Sequence, residues 1–238
     1  MEDGGLELSE LAEEDIGAAA SLASLAFMDA EPYRYACGSN FDGAGRERLL
    51  RLLFEKTFLL RRARGCCHSA CVMEPPTADG KDQTRVLVGH LMLVSPDVPQ
   101  PGFCEMIRSG YFRGVAALGI HSTMRLARVT NWAEQIEAEV LAGRRAMRLE
   151  AMAVLPARQG CGVGTKLLQH VLHHADASRL AVILSTQDSR SAAFYGRLGF
   201  AVAREEVYPP ANFRSWCMLR EPADPGTGDP CHDQAPPV

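Results

Sequence analysis

Apolar positions along the chain change period several times, and each change marks an element. Over residues 11–27 the acidic opening Glu13, Glu14, Asp15 precedes Ile16, Ala20, Ala23 and Phe27 on one face, which predicts a helix. Residues 27–40, with Asp29, Pro32, Tyr33, Tyr35 and Asn40, keep neither period and read as irregular. Residues 46–64 predict a second helix, with Leu49, Leu50, Leu53, Phe54, Thr57 and Phe58 at mixed i+3/i+4 spacing. Two β-rich runs at about 66–73 and 85–94, joined through Pro75, Pro76 and Gly80, read as a hairpin with a polar connection. Prolines make 96–102 a loop. Residues 103–145 are mostly helical, interrupted around Gly110 to Gly119 and stopped at Gly143.

The period then switches within one short stretch. Met147, Leu149, Ala151, Ala153 and Leu155 alternate as a buried strand, which Pro156 ends because it lacks a backbone donor. After Gly160, Gly162 and Gly164, the positions Leu167, Leu168, Val171, Leu172 and Ala175 recur at helical spacing. Strand, glycine turn and helix thus follow one another over 148–172. A helix start with its side chains cleared away suits a phosphate or pyrophosphate, and it equally suits tight helix–sheet packing. Beyond it, 180–186 reads as a strand, 189–198 as a short helix closed by Gly199, and 200–207 and 215–220 as the last two strands around Pro209, Pro210 and Asn212.

Composition narrows the class. The 238 residues suit one domain over 1–221, its core at about 85–221, followed by a Pro/Gly-rich tail over 222–238 that reads as disordered. A hydrophobic share of 47% and a charged share of 23% are ordinary for a globular chain. The net charge of −4 gives no reason to expect a nucleic-acid partner. Arg61, Arg62 and Arg64, the one dense basic run, read as the solvated end of the second helix. The start has no signal-peptide pattern and no apolar run reaches about eighteen residues, so no membrane partner is expected. Eight cysteines without a C-x-x-C pair read as reduced thiols of a cytoplasmic protein, with no metal. His170, His173 and His174 read as a solvated helix face. No signal bears on oligomeric state.

Two common nucleotide loops do not fit the glycine turn. A P-loop needs Gly-Lys-Ser/Thr, whereas here Thr165 precedes Lys166; the dinucleotide G-x-G-x-x-G fails from either Gly160 or Gly162. The run Gln159-Gly160-Cys161-Gly162-Val163-Gly164, of form Q-x-x-G-x-G after an apolar strand, resembles the acetyl-CoA signature of the GNAT superfamily of N-acetyltransferases. Asp188 to Phe200 resembles that superfamily's N-x-x-A-x-x-F-Y-x-x-x-G-F segment, with Asp188 in place of asparagine and Ser191 in place of alanine. Trp216, Met218, Arg220 and Pro222 are similar to the W-x-M-x-R-x-P ending of the puromycin N-acetyltransferase-like branch.

The resemblance implies an α/β fold with a central, mostly antiparallel mixed sheet flanked by helices, and acetyl-CoA as co-substrate. It implies that Met152, Ala153 and Val154 line the coenzyme arm and that Arg158, Gln159, Gly160, Cys161, Gly162, Val163, Gly164 and Thr165 hold the pyrophosphate. Asp188 and Ser191 are implied beside the arm, and Tyr195 as the acid that protonates the departing thiolate. An amine of pKa about 10.4 is mostly protonated at neutral pH, so a base is also needed. Glu150 is the first candidate, because its parity in the strand is opposite to that of Leu149 and Ala151; His90 is the second. The expected reaction is direct acetyl transfer to a primary amine of a small molecule. A non-catalytic acyl-CoA-binding module and a peptide or protein N-acetyltransferase remain as other readings.

Overall fold

The computed structural model describes residues 5–38, 41–74 and 83–223, so the connection 75–82 and the tail beyond Ala223 lie outside the described residues. The first strand, β1 (Glu7–Glu10), is too short to show a period in the sequence and is defined only by pairing with its neighbour. Helices α1 (Ile16–Phe27), α2 (Glu31–Cys37) and α3 (Gly43–Arg62) follow. The first starts five residues later than expected from the acidic opening, and Asp15 at its N-cap turns its carboxylate to Arg85, at 2.5 Å, rather than to the helix amides. Helix α2 occupies the stretch expected to be irregular: Pro32 sits in its first turn, where a missing N–H costs nothing, and Gly38 ends it at φ 59°. Asp42 caps α3 by accepting from the Gly45 amide at 2.6 Å.

Strands β2 (Cys67–Glu74) and β3 (Thr84–Val94) pair antiparallel, as expected of the hairpin. Three helices come next, α4 (Phe103–Arg108), α5 (Tyr111–Leu118) and α6 (Ile120–Leu141), parted at Gly110 and Gly119 with positive φ. The order closes with β4 (Ala146–Val154), a 3-10 turn at Pro156–Arg158, α7 (Val163–Ala177), β5 (Ala181–Thr186), α8 (Ser189–Gly196), β6 (Ala201–Tyr208) and β7 (Phe213–Arg220).

All seven strands form one mixed sheet in the order β1-β2-β3-β4-β5-β7-β6, in which only β4 and β5 run parallel. Helix α7 covers one face, where Leu167, Leu168, Val171 and Leu172 meet Val88, Leu91, Met147 and Leu149. Burying each of those leucines contributes about 1.5–3 kcal/mol. Helices α1 and α3 cover the other face over β2–β4, and α6 covers it over β5 and β7. The strand β3 is buried on both faces along most of its length, hence its nearly unbroken apolar run.

The two faces are joined by a break in β4. Leu93 pairs with Leu149 and Met92 with Ala151, so Glu150 is an extra residue, a β-bulge. Met147 and Leu149 consequently face α7, whereas Ala151 and Ala153 face α1 and α3. The expected single alternation through 147–155 is therefore wrong in register, although all four residues are buried.

Candidate functional site

The bulge opens the sheet. β4 and β5 pair only from Ala146↔Ala181 to Arg148↔Ile183; β5 then continues against β7 through Thr186, and β4 continues against β3 through Val154. A notch is left between the two parallel strands. Leu155 N–H donates to the Val88 carbonyl at 2.8 Å, so by strand alternation Ala153 also addresses β3. Met152 and Val154 must then turn their backbone groups to the notch. Gln159 supports this, because its Nε2 donates to the Val154 carbonyl at 3.1 Å. That leaves the Met152 N–H and C=O and the Val154 N–H on the open edge.

The glycine turn closes one end of this notch. Gly160 and Gly162 lie at φ 76° and 80° with open space where a Cβ would stand, and Gly162 is the left-handed residue from which α7 starts. Gly164 serves differently. It is helical, and a Cβ there would come within 3.2 Å of Met152 Cε and 3.4 Å of Val154 Cγ2, so its hydrogen lets α7 lie close on β4. Val163 is buried as the first apolar anchor of α7, while Cys161 is exposed. Arg158 pairs with Glu74 at 3.2 Å and holds the start of the turn against β2. The first amides of α7, near Gly164 and Thr165, face outward with the helix dipole behind them, an arrangement fit for a pyrophosphate.

Across the notch, Asp188 caps α8. It accepts from the Ser191 amide at 2.9 Å, the Ser191 hydroxyl at 2.8 Å and the Arg190 amide at 3.3 Å. Burial works against its charge, but the Ser191 and Arg190 bonds outweigh it and hold the carboxyl below its usual range. The two departures from the superfamily's pattern, Asp188 and Ser191, are thus partners of each other. Tyr195 packs edge-on against Phe194 and Phe200, with centroids at 5.3 and 5.6 Å. Burial pushes its hydroxyl up to about 12, so it keeps its proton at neutral pH.

The face opposite α7 is built from distant elements. Glu150 Oε1 accepts from Arg61 Nη2, on the last turn of α3, at 2.8 Å. The Glu150 side chain is 21% exposed. Burial raises its carboxyl above the ordinary value, and Arg61 and then Arg148 oppose the rise. Arg148 is itself engaged by α6: its Nη1 lies 3.2 Å from Glu134, and its Nε 2.7 Å from the buried Glu137. Glu137 Oε1 also accepts from Ser185 on β5 at 2.8 Å, so one carboxylate spans both strands beside the point where they part. Tyr33 on α2 is pushed up to about 12, by burial first and then by Glu150 and Tyr111.

Two expectations change on this face. Arg61, Arg62 and Arg64 are not a solvated terminus. Arg61 binds Glu150; Arg62 donates to the Leu11 carbonyl at 2.9 Å; Arg64 donates to Leu60 at 2.7 Å and to Glu105 at 2.6 Å. Each guanidinium finds an acceptor that lies far off in sequence or on the helix's own last turn. His90 lies in the core against Phe58, with centroids at 5.0 Å and neither ring nitrogen hydrogen-bonded; burial lowers it to about 3. So weak a base, sealed beneath α3, is poorly suited to accept a proton from an amine.

Tyr33, Arg61, Arg148, Glu134, Glu137 and Ser185 had no sequence signal as site residues, because they come from α2, α3, β4, α6 and β5. A separate cavity of about 760 Å³ lies under the C-terminal half of α7, lined by His68, His170 and His174 among others. It stands at the other end of the helix from the turn. Five of the cysteines are buried free thiols, while Cys104 and Cys161 are exposed free thiols.

With this geometry in hand, the likenesses fall into place. Residues 126–202 match the family described as acetyltransferase (GNAT) domain, a segment running from α6 into β6 through the notch, turn and α8. Over 49 residues the chain is 39% identical to the 5-NmdU N-acetyltransferase of Pseudomonas phage PaMx11, which covers 21% of this chain and 35% of that protein. The match thus spans about a third of that relative's length. Two solved structures share the fold: histone acetyltransferase HPA2 and related acetyltransferase from Corynebacterium glutamicum ATCC 13032 (19% identity, 93% of this chain and 98% of that one, TM-score 0.60) and arylalkylamine N-acetyltransferase 2 from Aedes aegypti (12% identity, 92% and 100%, TM-score 0.58). The fold is the one these acetyltransferases share, a mixed, mostly antiparallel seven-stranded sheet flanked by helices, and the segment that resembles the acetyltransferase (GNAT) domain is the one that holds the notch and the glycine turn. No helix among the described residues is long and apolar enough to cross a membrane.

Proposed function

We propose that the chain is an acetyl-CoA-dependent N-acetyltransferase that passes the acetyl group directly to a primary amine of a small molecule. The observation that carries this reading is the notch: β4 and β5 part after three residue pairs, backbone groups of Met152 and Val154 face the gap, and the glycine turn caps its end. Arg158 to Thr165 would hold the pyrophosphate, Met152 to Val154 the pantetheine arm, and Asp188 and Ser191 would border the arm from α8. Acetyl-CoA supplies an acyl group activated as a thioester.

The chain's own groups do the rest. Glu150 has one oxygen on Arg61, so the other can take a proton from the incoming ammonium. The Met152 amide, on the open edge, is placed to polarise a carbonyl. Tyr195 keeps a proton to give to the departing sulfur. A small acceptor is favoured because α5 packs on α3 and α6 lies on β5 and β7, which cover this face of the sheet with helices. Trp216, Met218, Arg220 and Pro222 support a place near the puromycin N-acetyltransferase-like branch. In that motif Arg220 clasps Asp176 of α7 with two bonds of 2.7 and 2.8 Å.

A coenzyme A release assay across small amines and peptides tests the reading. Turnover with small amines, retained acetyl-CoA binding and a fall of about 10²-fold or more in Tyr195→Phe are expected. Release with peptides alone would replace the small-amine acceptor, and binding without turnover on any amine would leave a coenzyme-binding module.

A further inference from the structure

The sequence offers Arg61 only as one of three arginines at the end of a helix, yet it is the one side chain that reaches Glu150 with a hydrogen bond among the described residues. Arg148 is the other nearby cation, two residues before Glu150 on the same strand, and α6 holds it away through Glu134 and Glu137. The contact with Arg61 is single: Nη2 meets Oε1, and no second bond goes to Oε2. The Arg61 side chain is 14% exposed, and its Nη1 is buried without a partner. A guanidinium so placed has lost water at Nη1 with nothing in return, so its contact with Glu150 carries a desolvation cost.

We propose that Arg61 is a positioning residue for the transfer: from the last turn of α3 it holds one oxygen of Glu150 at the β4 bulge and leaves the other turned to the amine. The proposal rests on the transferase reading, which makes Glu150 the base. Two effects follow from one contact. A carboxylate on a bulge is freed from the strand's alternation, and Arg61 fixes its rotamer. The positive charge also opposes the burial that would otherwise keep the carboxyl protonated. The other groups that face Glu150 are Arg148 on β4, Glu134 and Glu137 on α6, Tyr33 on α2, and the thiols of Cys66 and Cys67 beside β2. Two carboxylates and two arginines act on Glu150, so removing Arg61 leaves Glu134 and Glu137, together with burial, against Arg148 alone, a field that favours the protonated form.

The sign follows directly. Without Arg61 the Glu150 carboxyl titrates higher, so a larger fraction of it is protonated, and idle as a base, at any mildly acidic pH. The test is a side-chain carboxyl ¹³C NMR titration of the full chain, the Glu150 resonance being assigned by its loss in Glu150→Gln. In Arg61→Met the midpoint is expected to rise by about one unit. In Arg61→Lys, which keeps the charge and one donor nitrogen, it should stay near the parent value. The acid limb of kcat/KM for the amine should move with it, while KM for acetyl-CoA stays unchanged.

An unmoved midpoint in a folded Arg61→Met protein overturns the proposal, as does an acid limb that ignores a moved midpoint. If the parent releases no coenzyme A with any amine, the transferase reading fails and takes the catalytic sense of Arg61 with it, whatever the titration shows.

Discussion

The two sides of the β4–β5 notch are built in opposite ways. The α7 side comes almost entirely from 152–165: a strand, a 3-10 turn, two glycines in the left-handed region and the start of a helix. The other side collects Tyr33, Arg61, Glu134, Glu137 and Glu150 from three helices and one strand and brings them to one bulge. One side presents backbone groups, which any sequence supplies once the turn is right. The other presents charged side chains, whose properties depend on which neighbours arrive. On the proposed reading, coenzyme recognition is therefore written locally in the chain, and handling of the acceptor is not.

Substitutions that break one side and spare the other sharpen this contrast. The largest effect belongs to Glu150→Gln, expected to lower coenzyme A release with an accepted amine by about 10²- to 10⁴-fold. Its thermal shift with acetyl-CoA should survive; loss of both would make Glu150 part of the coenzyme side. Activity of the parent should rise with pH through a midpoint above about 4.3, the ordinary glutamate value, because burial raises the Glu150 carboxyl and only the ionised form accepts a proton.

Gly162→Val inverts the pattern. A β-branched residue at φ 80° carries about 1–3 kcal/mol of strain, although space for its Cβ is open, so the turn from which α7 starts must shift. The stabilisation by acetyl-CoA, about 2.7 kcal/mol at 100 times the dissociation constant for an intact site, should vanish in a thermal melt. The Glu150 midpoint should not move.

A smaller effect is expected at the α8 cap. Asp188→Ala removes the acceptor for three bonds and should cost about 1 kcal/mol in denaturant unfolding, whereas Asp188→Asn, which can still accept, should cost less. Because the folded carboxyl titrates below its ordinary value, this contribution is present above about pH 4 and is lost as the pH falls through the lowered midpoint. The alanine variant should therefore show a shallower loss of stability on acidification than the parent.

Arginines show why charge was hard to read along the chain. Arg61, Arg62 and Arg64 look alike at the end of a helix, and each is claimed by a different acceptor: Glu150, the Leu11 carbonyl, and Glu105 with Leu60. Nothing in their spacing separates the one at the β4 bulge from the two that bind elsewhere. Tyr33 carries no signal either, in a stretch without period where Pro32 and Gly38 bracket a two-turn helix. His90 misleads in the other direction, since an imidazole in a strand suggests a base and the core holds it neutral.

Order, type and approximate bounds of most elements follow from local periodicity, because a helix face and a strand face repeat at 3.6 and 2 residues whatever lies beyond them. The glycine turn is legible for the same reason: φ 76° and 80° favour glycine wherever they occur, and the demand is met within six residues. The strand β1, the bulge at Glu150 and the parting of β4 from β5 belong to the tertiary structure, since each is a relation between strands rather than a property of one. The bulge decides most. By adding one residue it sends Leu149 and Ala151 to opposite faces, and it delivers Glu150 to Arg61, 89 residues earlier in the chain. A period-2 pattern cannot announce its own interruption when the residues on both sides of the break are equally apolar and equally buried, as Met147, Leu149, Ala151 and Ala153 are.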